Sequence, residues 1–193
     1  MSQTLAFSGT GVKKSGFRTI AQTVALIVAG AALITLCAKL RVPSWPVPMT
    51  LHTLAVMAIA VTAGPRLATA TFLAYLAAGA AGLPVFSGTP ERGIGLAYMA
   101  GPTGGYLIGY LAANPVTGAL ARGRGAGGKT LAMLAGLGVI YAAGLPWLAF
   151  FVPVDRIVAL GFMPFILGDL INIAMVALGV CFIPARFFEK TGR

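Results

Sequence analysis

Charge is scarce in this sequence, and acid scarcer still. Only 9% of the 193 residues are charged, and four of them are acidic. A soluble domain carries about 25% charge. Four scattered carboxylates supply no general acid–base pair, and no Ser/His/Asp arrangement is visible. One histidine, His52, and two cysteines, Cys37 and Cys181, give no ligand set with metal spacing and no disulfide framework. The stretch Gly101-Pro102-Thr103-Gly104-Gly105-Tyr106 is rich in glycine but lacks the Lys-Ser/Thr ending of a phosphate-binding loop. Repeated pore-lining polar rings, the mark of many channels, are missing too. These absences argue against an enzyme, a resident cofactor, a metal centre and an ATPase.

Apolar residues fill the space. They make up 58% of the chain, and the mean hydropathy is +0.91. Such a chain cannot cover itself with a water-facing surface, so its solvent is a lipid bilayer. Lipid admits only helices or closed barrels. Barrel strands alternate apolar and polar residues, whereas these runs are apolar all round. The expected fold is therefore an all-α integral membrane bundle. A net charge of +10 raises the question of nucleic acid. The basic residues, however, sit singly or in small groups between apolar runs, where they orient a membrane protein. No nucleic-acid partner is expected.

Six apolar segments are predicted, at about residues 19–38, 50–63, 67–81, 104–120, 130–151 and 158–183. The second is short for a full crossing, which takes roughly 20 residues. A connector with Pro43, Pro46 and Pro48 precedes it, and Gly64-Pro65-Arg66 turns it into the third. A Gly-rich loop holding Glu91 and Arg92 spans about residues 82–101. Residues 1–18 are polar and show no Ala-x-Ala cleavage pattern, so they are expected to be a cytoplasmic tail rather than a signal peptide. Residues 19–185 would form the membrane domain and 186–193 a second tail. Six crossings put Lys13, Lys14, Arg18, Arg66, Arg122, Arg124, Lys129, Arg186, Lys190 and Arg193 on one side. Lys39, Arg41, Arg92 and Arg156 fall on the other. Ten against four places both termini in the cytoplasm of a multi-pass cell-membrane protein.

Asp169 is the sharpest local signal. It lies inside the last apolar run, where a carboxylate costs about 2.5–3.5 kcal/mol on insertion scales. It must face a ligand cavity or make an interhelical hydrogen bond that holds the bundle together. Asn172, three residues on, shares its helix face. His52 opens the second run and is either a packing residue or a ligand contact. Arg92 could hold a carboxylate through two parallel hydrogen bonds, or pair with Glu91 in solvent. Tyr106 and Tyr110 share one helical face and could wall a pocket or form an interfacial belt. Ala21, Ala25 and Ala29 make a smooth stripe on which another helix can pack.

Five pieces of the chain carry a resemblance. They are Val47-Pro48-Met49-Thr50-Leu51-His52-Thr53-Leu54-Ala55-Val56, Gly64-Pro65-Arg66, Ala80-Ala81-Gly82-Leu83-Pro84-Val85-Phe86, Gly101-Pro102-Thr103-Gly104-Gly105-Tyr106 and Gly168-Asp169-Leu170-Ile171. In this order they resemble the BioY family, the biotin-binding membrane subunits (S-components) of energy-coupling-factor transporters. The family often carries Gln at the position of His52 and Lys at that of Asn172. The resemblance implies a six-helix bundle that takes biotin from the outer face. Asp169 and Asn172 would meet its urea and Arg92 its carboxylate. His52, Thr50, Phe86 and Tyr106 join the expected substrate contacts. It also implies partners: a transmembrane coupling protein, gripping Ala21, Ala25 and Ala29, and two cytoplasmic ATPases. The alternatives are an S-component for another vitamin and a structural subunit of a membrane complex.

Overall fold

A computed structural model describes residues 14–42, 49–91 and 93–182. The Pro-rich connector with Pro43, Pro46 and Pro48, Arg92 and both chain ends lie outside the described residues. Helix α1 covers Lys14–Lys39 and so begins within the segment expected to be an N-terminal tail. A two-residue antiparallel ladder follows, β1 (Arg41–Val42) on β2 (Met49–Thr50). It is a small β element in a fold expected to be all α. Next come α2 (His52–Ala80), the short α3 (Gly95–Met99), α4 (Gly104–Ala121) and α5 (Ala126–Leu148). A 3-10 turn at Val154–Arg156 leads into α6 (Ile157–Gly161) and α7 (Met163–Phe182). The break at Phe162 divides what the sequence presents as one apolar run.

Helix α2 is folded back on itself. Gly64 has φ 78° and ψ 172°, a conformation foreign to a helix and open to glycine, and Pro65 follows it. Two aromatic rings show the consequence. His52 and Phe72 have ring centroids 6.2 Å apart, whereas twenty residues of straight helix would separate them by about 30 Å. The arms, residues 52–63 and 65–80, are thus antiparallel neighbours. The first is only about 18 Å long, which accounts for the shortness of the second apolar run.

Among the described residues, four stretches are long and apolar enough to cross a membrane: Ile20–Lys39, His52–Ala80, Ala126–Leu148 and Val154–Cys181. With α2 doubled and α4 packed against α2 and α5, the described residues form six long helical segments that run alternately up and down. The α2 hairpin tip and the end of α4 lie together: a Cβ on Gly118 would stand 2.6 Å from the Pro65 nitrogen. Such contacts bring backbones closer than side chains would allow, as is usual where helices associate in lipid. Large apolar side chains point outward, among them Ile20, Leu96, Leu131 and Leu167, each more than 60% exposed. In water this would be an aggregation surface; in a bilayer it is the solvated one.

Two buried clusters fill the interior. One joins Met57, Met133, Leu137, Ile140, Tyr141 and Ile173 across α2, α5 and α7. The other joins Ile34, Val56, Phe72, Tyr75, Phe86 and Tyr98 across α1, α2 and the connection after it. Tyr110 of α4 packs against both.

Candidate functional site

A cavity of about 270 Å³ opens at the seam between these clusters. It lies near the lower end of the volumes usual for small-ligand sites, about 300 Å³ and upward. Its walls come from one end of the bundle: Thr50, His52 and Thr53 before and on the first α2 arm, Tyr75 on the second, Tyr106 and Tyr110 on α4, Tyr141 on α5, and Pro164, Gly168 and Asp169 on α7. Phe86, Ser87 and Tyr98, from the connection between α2 and α4, also line it.

Asp169 stands at the polar centre. Its Oδ1 accepts a hydrogen bond from Thr53 Oγ1 at 2.6 Å, and its Oδ2 accepts one from Tyr141 Oη at 2.6 Å. Thr53 Oγ1 is also hydrogen-bonded to Tyr110 Oη. Three helices therefore meet at one carboxylate. Among the described lining residues it is the only charged side chain. A carboxylate has about four acceptor positions, and these two bonds fill half of them.

The other sequence candidates fall into distinct places. Thr50, His52, Phe86 and Tyr106 line the cavity together with Asp169. His52 is buried among Phe72, Tyr75 and Tyr110, with its ring 4.7 Å from that of Tyr110. Its Nε2 is buried and has no hydrogen-bond partner among the described residues. Tyr106 turns inward and donates to the Gly161 carbonyl at 2.7 Å, tying α4 to the end of α6. Tyr110 lines the same wall, so the pair walls a pocket rather than girdling the surface. Asn172 is buried but does not line the cavity; its Nδ2 donates to the Thr50 carbonyl at 3.0 Å and pins α7 to β2. Arg92 lies outside the described residues. Ala21, Ala25 and Ala29 are exposed. Helix α1 packs inward through other positions, such as Ile34, Cys37 and Ala38, and at Gly30, where a Cβ would stand 2.6 Å from Thr71 Cγ2.

The cover is itself well packed. Phe86 stacks on Tyr98 with centroids 4.8 Å apart and meets Tyr75 edge-on at 5.4 Å. Tyr98 Oη donates to the Ser87 carbonyl at 2.7 Å. Lys39, at the end of α1, donates to the Thr89 carbonyl and hydroxyl at 2.7 and 2.8 Å. Trp147 donates to the Gly101 carbonyl at 3.0 Å, and Gly104 and Gly105 leave room for Met99 and Trp147.

Thr53, Tyr75, Tyr98 and Tyr141 were not singled out from the sequence. Tyr141 left a usable trace: a phenol deep in an apolar run needs a partner for its hydroxyl. Thr53 left little, because a threonine hydroxyl can satisfy itself on its own helix.

Comparison with known proteins gives concordant matches. Residues 6–187 match the family model described as the BioY family. A biotin transporter from Thermotoga maritima is 40% identical over 157 residues, covering 79% of this chain and 91% of that protein. A probable biotin transporter from Pyrococcus horikoshii is 37% identical over 158 residues, covering 82% and 93%. The fold matches that of the S-component for biotin from an ECF-type ABC transporter, with a TM-score of 0.69 and 24% identity over 91% of this chain and 98% of that one. The family match spans nearly the whole sequence, and this chain belongs to the BioY family.

Proposed function

We propose that this protein is the substrate-capture subunit of a biotin uptake system in the cell membrane. The names of its relatives support the substrate, and the cavity supports the chemistry. Biotin has a largely apolar fused ring, a urea edge with two N–H groups and a tail ending in a carboxylate. The observation that carries the reading is the placement of Asp169, a carboxylate with unused acceptor positions in an aromatic-walled cavity. Such a site favours the N–H edge of the ring and disfavours the anionic tail. The tail then points toward the cover, where Arg92 would meet its carboxylate.

On this reading biotin enters from the outer face, the end of the bundle that bears the cavity. Both termini are then cytoplasmic, in keeping with the distribution of basic residues. No ATP-binding motif occurs in the sequence, so energy comes from partners: a transmembrane coupling protein and two cytoplasmic ATPases. The exposed Ala21, Ala25 and Ala29 supply a smooth face for the coupling protein.

Calorimetric biotin binding to purified protein tests the site. Asp169→Asn should remain folded and bind more than about tenfold more weakly, since a charge-assisted acceptor becomes a neutral one of roughly half the strength. Asp169→Leu should abolish binding. Parent-like affinity in Asp169→Asn would refute the assignment.

A further inference from the structure

The hydroxyl groups around Asp169 form an ordered set. Thr53 Oγ1 lies 2.6 Å from Asp169 Oδ1 and has one hydrogen to give. With that hydrogen on the carboxylate, Thr53 can only accept from Tyr110 Oη, its other partner. Tyr141 Oη gives its hydrogen to Oδ2. With the carboxylate ionised, every hydroxyl hydrogen is used once, in the direction Tyr110 to Thr53 to Asp169, with Tyr141 closing from the opposite side. The three donors sit on α4, α2 and α5, while the acceptor sits on α7. Thr53 is 2% exposed and Tyr141 7%, so water does not readily replace either.

Resting on the biotin reading above, we infer that Thr53, Tyr141 and, through Thr53, Tyr110 are positioning residues that hold Asp169 as an oriented anion for the ligand's N–H groups. The bonds fix both oxygens, so the plane of the carboxylate and the direction of its remaining lone pairs are set before the ligand arrives. They also supply the compensation that a half-buried anion in an apolar bundle requires when no cation lines the described cavity. A carboxyl group deprived of a donor has two ways to relax. It can rotate away, or it can take up a proton and become a donor where an acceptor is needed. Either change removes the feature that the ligand reads.

The set implies a graded order. Tyr141→Phe and Thr53→Val each delete a bond to the carboxylate while nearly conserving shape, and each should weaken biotin about tenfold, the scale of a hydrogen bond to a charged group. Tyr110→Phe, one bond removed, should cost about threefold, less than a neutral hydrogen bond of about 1 kcal/mol contributes. Thr53→Ser keeps the hydroxyl and should recover most of the affinity lost in Thr53→Val.

The deciding experiment is a double-mutant cycle on purified protein, read by biotin affinity. If Tyr141 acts through the carboxylate, Tyr141→Phe should change affinity less than about threefold in the Asp169→Asn background, because such coupling appears as non-additivity. Likewise, Tyr110→Phe should add nothing in the Thr53→Val background. An undiminished loss in both backgrounds, or single variants that bind as tightly as the parent, overturns the positioning roles and leaves the biotin reading intact. Parent-like affinity in Asp169→Asn alone overturns the biotin site and this inference with it.

Discussion

Gly79 lies outside the cavity lining, yet its substitution should be felt there. It sits on the second arm of α2, and a Cβ at this position would stand 2.0 Å from Phe86 Cζ and 2.4 Å from Cε2. Carbon atoms in contact rest about 3.5–4.0 Å apart, so in Gly79→Ala the ring must move by roughly 1.5 Å. Phe86 is 1% exposed, stacked on Tyr98 and edge-on to Tyr75. Those rings block two directions and leave the cavity, which Phe86 lines, as the open one. Forced overpacking of this kind costs about 1–3 kcal/mol. If the ring relaxes into the space that biotin needs, affinity falls by about 5- to 150-fold, at tenfold per 1.4 kcal/mol.

Isothermal titration of biotin into Gly79→Ala measures this, with Gly138→Ala as control. Gly138 is also helical, but a Cβ there meets nothing within 4 Å. Its replacement should leave affinity unchanged and add about 0.5–1 kcal/mol of stability. Shortening the obstructed ring, as Phe86→Leu in the Gly79→Ala background, should recover part of the lost affinity. Parent-like binding by Gly79→Ala, or equal losses in both glycine variants, would show that Phe86 does not transmit the clash.

Three further outcomes are expected. Ala25→Trp should block ATP-driven uptake while leaving biotin binding intact, because residue 25 lies on an exposed face away from the cavity; an equal loss of binding would assign the stripe to internal packing. Arg92→Ala should weaken biotin more than a biotin analogue with an amidated tail, since a hydrogen bond to a charged group contributes about 1.5–3 kcal/mol; equal losses would remove Arg92 from carboxylate recognition. Single cysteines in the connector at residues 122–125 and in the connection at residues 82–94 should label from opposite sides of the membrane, and labelling from the same side would end the six-segment topology.

The helices, the turn at Gly64 and the acid within the last apolar run were legible because each has a local signature. An apolar run, a Gly-Pro pair and a charge within lipid are visible without knowing what packs nearby. What could not be read was anything set by distant partners. Thr53 and Asp169 are 116 residues apart in sequence, and Tyr141 and Asp169 are 28 apart. The relation of Asp169 to Asn172 shows the limit of helical spacing. Three residues apart leaves about 60° between their directions at 3.6 residues per turn. That is enough for Asp169 to face the cavity while Asn172 reaches the Thr50 carbonyl. The ends of elements also escaped: α1 starts earlier than its apolar run, and the last run breaks at Phe162, between Gly161 and the helix-starting Pro164.

Asp169 was open to two readings, a ligand contact and an interhelical tie, and the geometry makes them compatible. Two of about four acceptor positions hold α2 and α5 against α7. The rest are available on a side chain that lines the cavity. The division has a thermodynamic reason. A capture protein must keep its acceptor ready while empty, and a bare anion between apolar helices would not persist there. Full saturation would be as unhelpful, because the ligand would have to displace a bond for each one it made. Partial satisfaction by hydroxyls from other helices compensates the anion and still leaves acceptor positions for an incoming N–H. Removing those donors should therefore weaken capture while the bundle stays folded.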